Sequence, residues 1–337
     1  MSRVARAVVL AAAVAATVAA SGCGGGSSGP LTVYSGREEE LVAPLFERFT
    51  DETGIEVEVR YGDSAELAAT IAEEGGNSPA DVFFAQDPGS LGAVGSQLEQ
   101  LPDETLARVD ERYRDDEGLW VGTSGRSRVI VYNTDELGAD EVPDSIDELT
   151  DPVWKGRIGI APTNASFQAF VTALRLSGGE ERTRRWLEGL QANEPKTYEK
   201  NTPIVEAVAA GEVDLGLVNH YYLYLVKQEQ PNAPIANHFL RAGDPGALVS
   251  VAGAGVLSSS DRQDDARRFV AYLLSDGAQR FYVDEAAEAE YPLVAGIAPK
   301  EGLPPLDSLT GPPVDLASFG PELEATVELL RETGYLT

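Results

Sequence analysis

From Leu31 onward, short runs of β-branched and aromatic residues alternate with amphipathic helical stretches, and this grammar limits the fold more than any other feature. "LTVYS" (31–35) reads as a strand. Leu41, Val42, Leu45, Phe46 and Phe49 then fall on one helical face, with Pro44 predicting a helix start or a bend there. Gly54 suits the helix end, and "IEVEVRY" alternates Ile55, Val57, Val59 and Tyr61 against Glu56, Glu58 and Arg60. "GDSAELAATIAEEGG" is a second helix capped by Asp63 or Ser64, and "ADVFFAQ" a third strand. A βαβαβ order of this kind predicts an α/β fold built on a mostly parallel sheet.

Farther along, "SRVIVYNT" (127–134) and "ALVSVAGAGVL" (247–257) are strand-like runs that flank a block with its own alternation. In that block "GRIGIA" is a strand, "SFQAFVTALRLSGG" a helix capped by Ser166, and "ERTRRWLEGL" another helix. "NTPIVEAVAAG" is a third helix, with Thr202 as cap, Pro203 in its first turn and Gly211 at its end. "EVDLGLVN" and "YYLYLVKQEQ" add a strand and a helix; a helical pair and a Pro-rich tail follow residue 257. The simplest assembly is two α/β lobes, one inserted into the other, joined by two extended crossovers with a cleft between them. The expected division is 31–126 with 253–300, and 127–252 with 301–337. A chain of 337 residues also exceeds what one small core serves.

The N-terminus has a different character. Two arginines precede Val8–Ala20, an uncharged run too short to span a bilayer comfortably and laid out like a secretory signal. Cys23 follows small residues and is the chain's one cysteine, which rules out an internal disulfide. The junction resembles the bacterial lipoprotein cleavage box, with Ala20 where leucine is usual. Residues 1–22 are therefore expected to be a signal peptide, and 23–30 a flexible linker lipidated at Cys23, the only attachment to a membrane. The rest is expected to be an extracytoplasmic monomer. A net charge of −29 argues against nucleic acid as a partner.

Little remains for chemistry. With two histidines, one cysteine at the leader junction and no methionine beyond Met1, soft-metal sites are excluded. No H-E-x-x-H, cysteine cluster, Walker loop or nucleophile–base pair is present, so an enzyme is not expected. Open parallel sheets bind ligands beyond the carboxyl ends of their strands. Four junctions fit that position: "YSGREEE", "FFAQDPG", "APTNASF" and "VNHYY". The last carries adjacent Tyr221 and Tyr222. Such a pair is either packing with wet hydroxyls or, in a set of oxygen donors, a grip for a hard cation.

Six blocks, in order, carry a resemblance: "LTVYSGREEELVAPLFERFTDETG", "SPADVFFAQDPG", "TSGRSRVIVYNT", "WKGRIGIAPTNASF", "YEKNTPIVEAVAAGEVDLGLVNHYY" and "RAGDPGALVSVAGAGVL". Over roughly residues 31–295 the chain resembles the ferric-ion-binding proteins of bacterial ABC importers. That resemblance implies a two-lobed, class II periplasmic-binding-protein fold, with Fe(III) in the cleft as ligand for delivery to a permease. It implies that Tyr221 and Tyr222 bind the metal, completed by a synergistic anion such as carbonate or phosphate. It puts Arg37, Arg126, Asn164, Ala165, Ser166, Asn201 and Asn219 at anion-contacting positions, and Ser35, Gly36 and Gln86 in the pocket lining. The chain departs from the pattern at three places. Glu38 stands at the family's histidine, Gln86 at its glutamate, and Glu39 where one relative has a further tyrosine. Glu38 is either a carboxylate ligand or an acidic residue suited to a helix's first turn. His220 stands where asparagine is usual. The alternative is a receptor of the same fold for an organic anion, such as a phosphonate or sugar phosphate, held by the arginines and the "TNAS" loop.

Overall fold

The computed structural model describes residues 29–285 and 289–337. The leader, most of the linker and Cys23 lie outside them. The first lobe opens with β1 (Leu31–Ser35), α1 (Glu39–Thr53), β2 (Val57–Tyr61), α2 (Ser64–Glu74) and β3 (Val82–Ala85). The short helices α3 (Pro88–Ala93) and α4 (Asp103–Leu106) lead into β4 (Val121–Asn133). The second lobe holds β5 (Ile158–Ile160), α5 (Ala165–Gly178), α6 (Glu180–Ala192), β6 (Lys196–Thr197) and α7 (Asn201–Ala209). It continues with β7 (Leu215–Asn219), α8 (Tyr222–Glu229) and β8 (Ile235–His238). The chain returns through β9 (Val249–Val256), α9 (Gln263–Leu273), α10 (Asp276–Asp284) and β10 (Tyr291–Pro292), and ends in α11 (Phe319–Glu332).

β1 lies between β2 and β3, parallel to both, as the βαβαβ reading required. One crossing between the lobes lies within a single strand. β4 is thirteen residues long and buried throughout. Its first half pairs antiparallel with β9, ending at Ser127 opposite Val249; from Arg128, opposite Asn219, it pairs with β7. The crossing therefore falls between Ser127 and Arg128. The return passes beside it, where the Arg128 N–H donates to the Leu248 carbonyl. The expected two-lobed α/β fold with paired crossovers is the fold observed.

The stripe on α1 buries Val42, Leu45, Phe46 and Phe49 against β3 and α9, with Phe49 meeting Phe269 edge-on at 5.0 Å. A second core gathers Phe167, Phe170, Trp186 and Leu187 under α5 and α6. Four local expectations are corrected. α1 begins at Glu39, ahead of Pro44, and continues through that exposed proline. The α5 cap is Asn164, whose Oδ1 accepts from the Ser166 N–H; Ser166 lies two residues further on, inside the helix. α7 begins at Asn201 without a side-chain cap, so Thr202 caps nothing. The tail 301–337, expected with the second lobe, divides: Leu309, Leu316 and Phe319 join the first core, Leu329 and Leu330 the second.

Candidate metal and anion site

The two tyrosines meet at the carboxyl end of β7. Consecutive residues of a helix diverge by about 100° around its axis. Tyr221 occupies the position before the first full turn of α8, and the two rings come together instead, their centroids 4.4 Å apart with planes tilted by 32°. Tyr221 is 1% exposed and Tyr222 half-buried. Tyr224, two residues on, packs half-buried against the cluster formed by α7 and β7.

His220 fixes the start of this turn. Its backbone N–H donates to Ser127 O at 2.9 Å, and its carbonyl accepts from Asn237 Nδ2 at 2.7 Å. Nδ1 accepts from the Ser127 N–H at 3.2 Å, which assigns the ring proton to Nε2, donating to Ala289 O at 3.1 Å. Both ring nitrogens are thus committed to the interlobe joint and neither is offered to a metal. Burial pushes this imidazole down to about 4, against the opposing pull of Ala289 O and Glu290.

Beside the tyrosines lies a polar ring drawn from three elements. Asn164 Oδ1 accepts from Ser166 N (3.0 Å), Ser166 Oγ (2.6 Å) and Asn201 Nδ2 (3.1 Å). Asn201 Nδ2 also donates to Ser166 Oγ at 3.0 Å, and Asn201 Oδ1 is buried without a partner among the described residues. The Ala165 N–H opens α5 and has no acceptor among them either. Behind the ring is Arg128, which the sequence reading did not single out. Its Nη1 donates to Ser166 Oγ (3.3 Å) and Asn219 Oδ1 (3.4 Å), and its Nη2 to Leu217 O (2.7 Å). Asn164, Ser166, Asn201 and Asn219, four positions scattered over 56 residues, are therefore one constellation.

The first lobe's wall is built differently. Ser35 Oγ accepts from the Arg37 N–H at 3.2 Å, closing a tight turn around Gly36. A Cβ on Gly36 would meet Ser64 Oγ at 1.9 Å, so only glycine lets the turn seat against α2. Ser64 Oγ also accepts from the Gln86 N–H at 2.9 Å, which joins Ser35, Gly36 and Gln86 into one surface. Glu38 is exposed, at the position preceding α1, and makes no cap hydrogen bond.

The two arginines expected to hold an anion are paired inside the protein. Arg37 grips Glu290 through both terminal nitrogens at 2.9 Å, and Arg126 Nε stands 3.3 Å from the same carboxylate. Arg126 Nη2 also donates to the Gln86 carbonyl. Burial alone would raise the Glu290 carboxyl; Arg37 and Arg126 together overcome it and hold the group below the ordinary carboxylate range. Glu290 was missed. Its signal was an acid standing inside the apolar run "AEYPLVAG".

Residues 77–306 match the family model described as bacterial extracellular solute-binding protein. The chain belongs to that family, a class of extracytoplasmic solute-binding proteins. More particularly, it is 36% identical over 310 residues to the Fe(3+)-binding periplasmic protein of Serratia marcescens, covering 91% of this chain and 90% of that protein. Iron-bound HitA from Pseudomonas aeruginosa is similar at a TM-score of 0.83 and 36% identity, over 90% of this chain and 99% of that one. The Trichodesmium protein IdiA (FutA), in complex with iron and citrate, is similar at 0.82 and 30% identity, over 91% and 100%.

Proposed function

We propose that the protein captures Fe(III) between its lobes through Tyr221 and Tyr222, together with a small anion, and delivers it to the permease of an ABC importer. The observation that carries the reading is the tyrosine pair itself, brought ring to ring at the carboxyl end of β7 beside a half-satisfied polar ring. Among the described residues no cluster of three or more His, Cys, Asp or Glu is placed to hold a metal, so phenol oxygens carry the grip. A phenol keeps its proton at neutral pH, and a trivalent cation within bonding distance displaces it, as metal ions do for bound water. Two phenolates cancel two of the three charges. The anion supplies further ligands where Glu38 and Gln86 replace the expected histidine and glutamate.

Asn164, Ala165, Ser166, Asn201 and Asn219 are the anion's seat in this reading. Arg37 and Arg126 act one step back, through Glu290. Cys23 is the lipid anchor that keeps the monomer at the outer face of the membrane. The iron-bound Pseudomonas and the iron–citrate Trichodesmium proteins support the choice of metal over a phosphonate or sugar phosphate.

The test is optical. Ferric citrate added to iron-free protein in bicarbonate gives a coloured phenolate-to-iron charge-transfer band, which the double variant Tyr221→Phe, Tyr222→Phe loses. A colourless wild type whose thermal midpoint rises with a phosphonate instead would transfer the site to an organic anion.

A further inference from the structure

Arg128 is the one buried guanidinium in the cleft region without a carboxylate partner among the described residues. Its neighbours are neutral: a carbonyl, a hydroxyl and an amide oxygen on its terminal nitrogens, and the rings of Phe167 and Phe170 at 5.9 and 5.3 Å. Its Nε has no partner among the described residues. Burial lowers this guanidinium to about 10, so it remains charged at neutral pH; the groups that pull the other way are Tyr222 and Tyr221. A buried cation that lacks a counter-ion is expensive to keep. If packing were its purpose, a long apolar side chain between two phenylalanines would do better.

The loaded site explains the expense. Resting on the ferric reading above, a trivalent ion with two phenolates and a doubly charged anion carries one net negative charge. We propose that Arg128 is the counter-charge of that loaded site: a positioning residue that holds one fixed positive charge behind the tyrosine pair and ties Ser166 and Asn219 to it. The register supports the placement. Arg128 is the first residue of β4 on the second-lobe side, directly opposite Asn219, two residues before Tyr221. The empty half-site is thereby unbalanced toward anions, and filling it with metal, phenolates and dianion restores neutrality in a low-dielectric place where imbalance is costly.

The experiment compares wild type, Arg128→Gln and Arg128→Lys, loaded with iron in phosphate, for band position and for iron loss to a competing chelator. In the charge-transfer transition an electron leaves the phenolates, moving away from the guanidinium, so the wild-type charge raises the transition energy. R128Q is expected to absorb at longer wavelength and to lose iron about tenfold faster. The gap in rate is expected to narrow in chloride without phosphate or bicarbonate. R128K, which keeps the charge, is expected to restore the band position. An R128Q protein with unchanged band and unchanged release overturns the proposal, as does an R128K protein displaced as far as R128Q. If R128Q does not fold, R128K decides: a wild-type band supports the counter-charge, a displaced one overturns it. A wild type that takes no colour overturns the ferric reading and this proposal with it, whereas a coloured wild type beside an indifferent R128Q overturns this proposal alone.

Discussion

The two walls of the cleft use the same residue types to opposite ends. In the first lobe, Arg37 and Arg126 converge on Glu290, the Ser35 hydroxyl pairs with the Arg37 backbone, and Ser64 Oγ accepts from the Gln86 N–H. In the second, among the described residues, Arg128 meets only neutral oxygens, Asn201 Oδ1 is unpartnered, and the first N–H of α5 has no acceptor. One wall is finished and the other is waiting. A buried charge without a counter-ion is costly, and among the cleft arginines that cost falls on Arg128. The cations of the first wall are neutralised within the protein itself.

The contrast breaks most sharply at Glu290. Replacing it by glutamine strands two buried guanidinium groups, and breaking a buried pair from one side costs about 3–5 kcal/mol. E290Q should therefore shift the urea midpoint far downward at a constant slope. R128Q strands no charge and should cost no more than about 1–2 kcal/mol, the worth of its hydrogen bonds. Equal losses from the two variants would mean that the walls do not differ in the way described.

This difference also marks where sequence reading fails. The strands and helices around the walls were legible because their signals are local: a period of two in "IEVEVRY", a stripe of four apolar residues on α1, a glycine at 54 in the left-handed conformation that ends the helix. The tyrosine junction was legible because it follows a strand. Glu290 was not, because its partner Arg37 lies 253 residues away and nothing local marks the pair. Arg128 hid in the apolar run "SRVIVYN", where its charge passed for the edge of a strand. The α5 cap was misassigned because asparagine and serine serve equally as caps, and only the turn geometry separates Asn164 from Ser166.

His220 joins the walls, and its effect is expected next in size. Its imidazole is neutral in the fold down to about 4, whereas in the unfolded chain it gains a proton near 6.5. Between those values the unfolded state holds the extra proton, so stability falls as pH falls, by about 3 kcal/mol over the whole window. The groups facing the ring are the Ser127 N–H, Ala289 O, Glu290, Arg126 and the rings of Tyr221 and Tyr291. Glu290 works in the same direction at lower pH: its carboxyl is depressed, so its contribution is present above the ordinary carboxylate range and is lost as pH falls below it. His220→Asn should flatten the stability curve between pH 6.5 and 4 and leave the steeper acid limb in place. Parallel curves for wild type and H220N would detach the histidine from the joint.

The smallest change in stability should come from the waiting wall itself, at Asn164. Its Oδ1 accepts from three donors, Ser166 N, Ser166 Oγ and Asn201 Nδ2, and a carboxylate oxygen can accept all three. Asn164→Ala should cost about 1 kcal/mol through loss of the α5 cap. Asn164→Asp should cost nothing, because it keeps the cap and adds a negative charge at a helix N-terminus, where charge of that sign is favoured. Yet that charge stands one hydrogen-bonded neighbour away from Arg128, through Ser166, and in the seat proposed for the anion. N164D should therefore be at least as stable as wild type in urea while binding iron in phosphate about tenfold more weakly, an effect measured by equilibrium competition with citrate. A variant that improves the empty protein and impairs the loaded one is what an unfinished wall demands; if N164D binds iron as wild type does, the wall was finished all along.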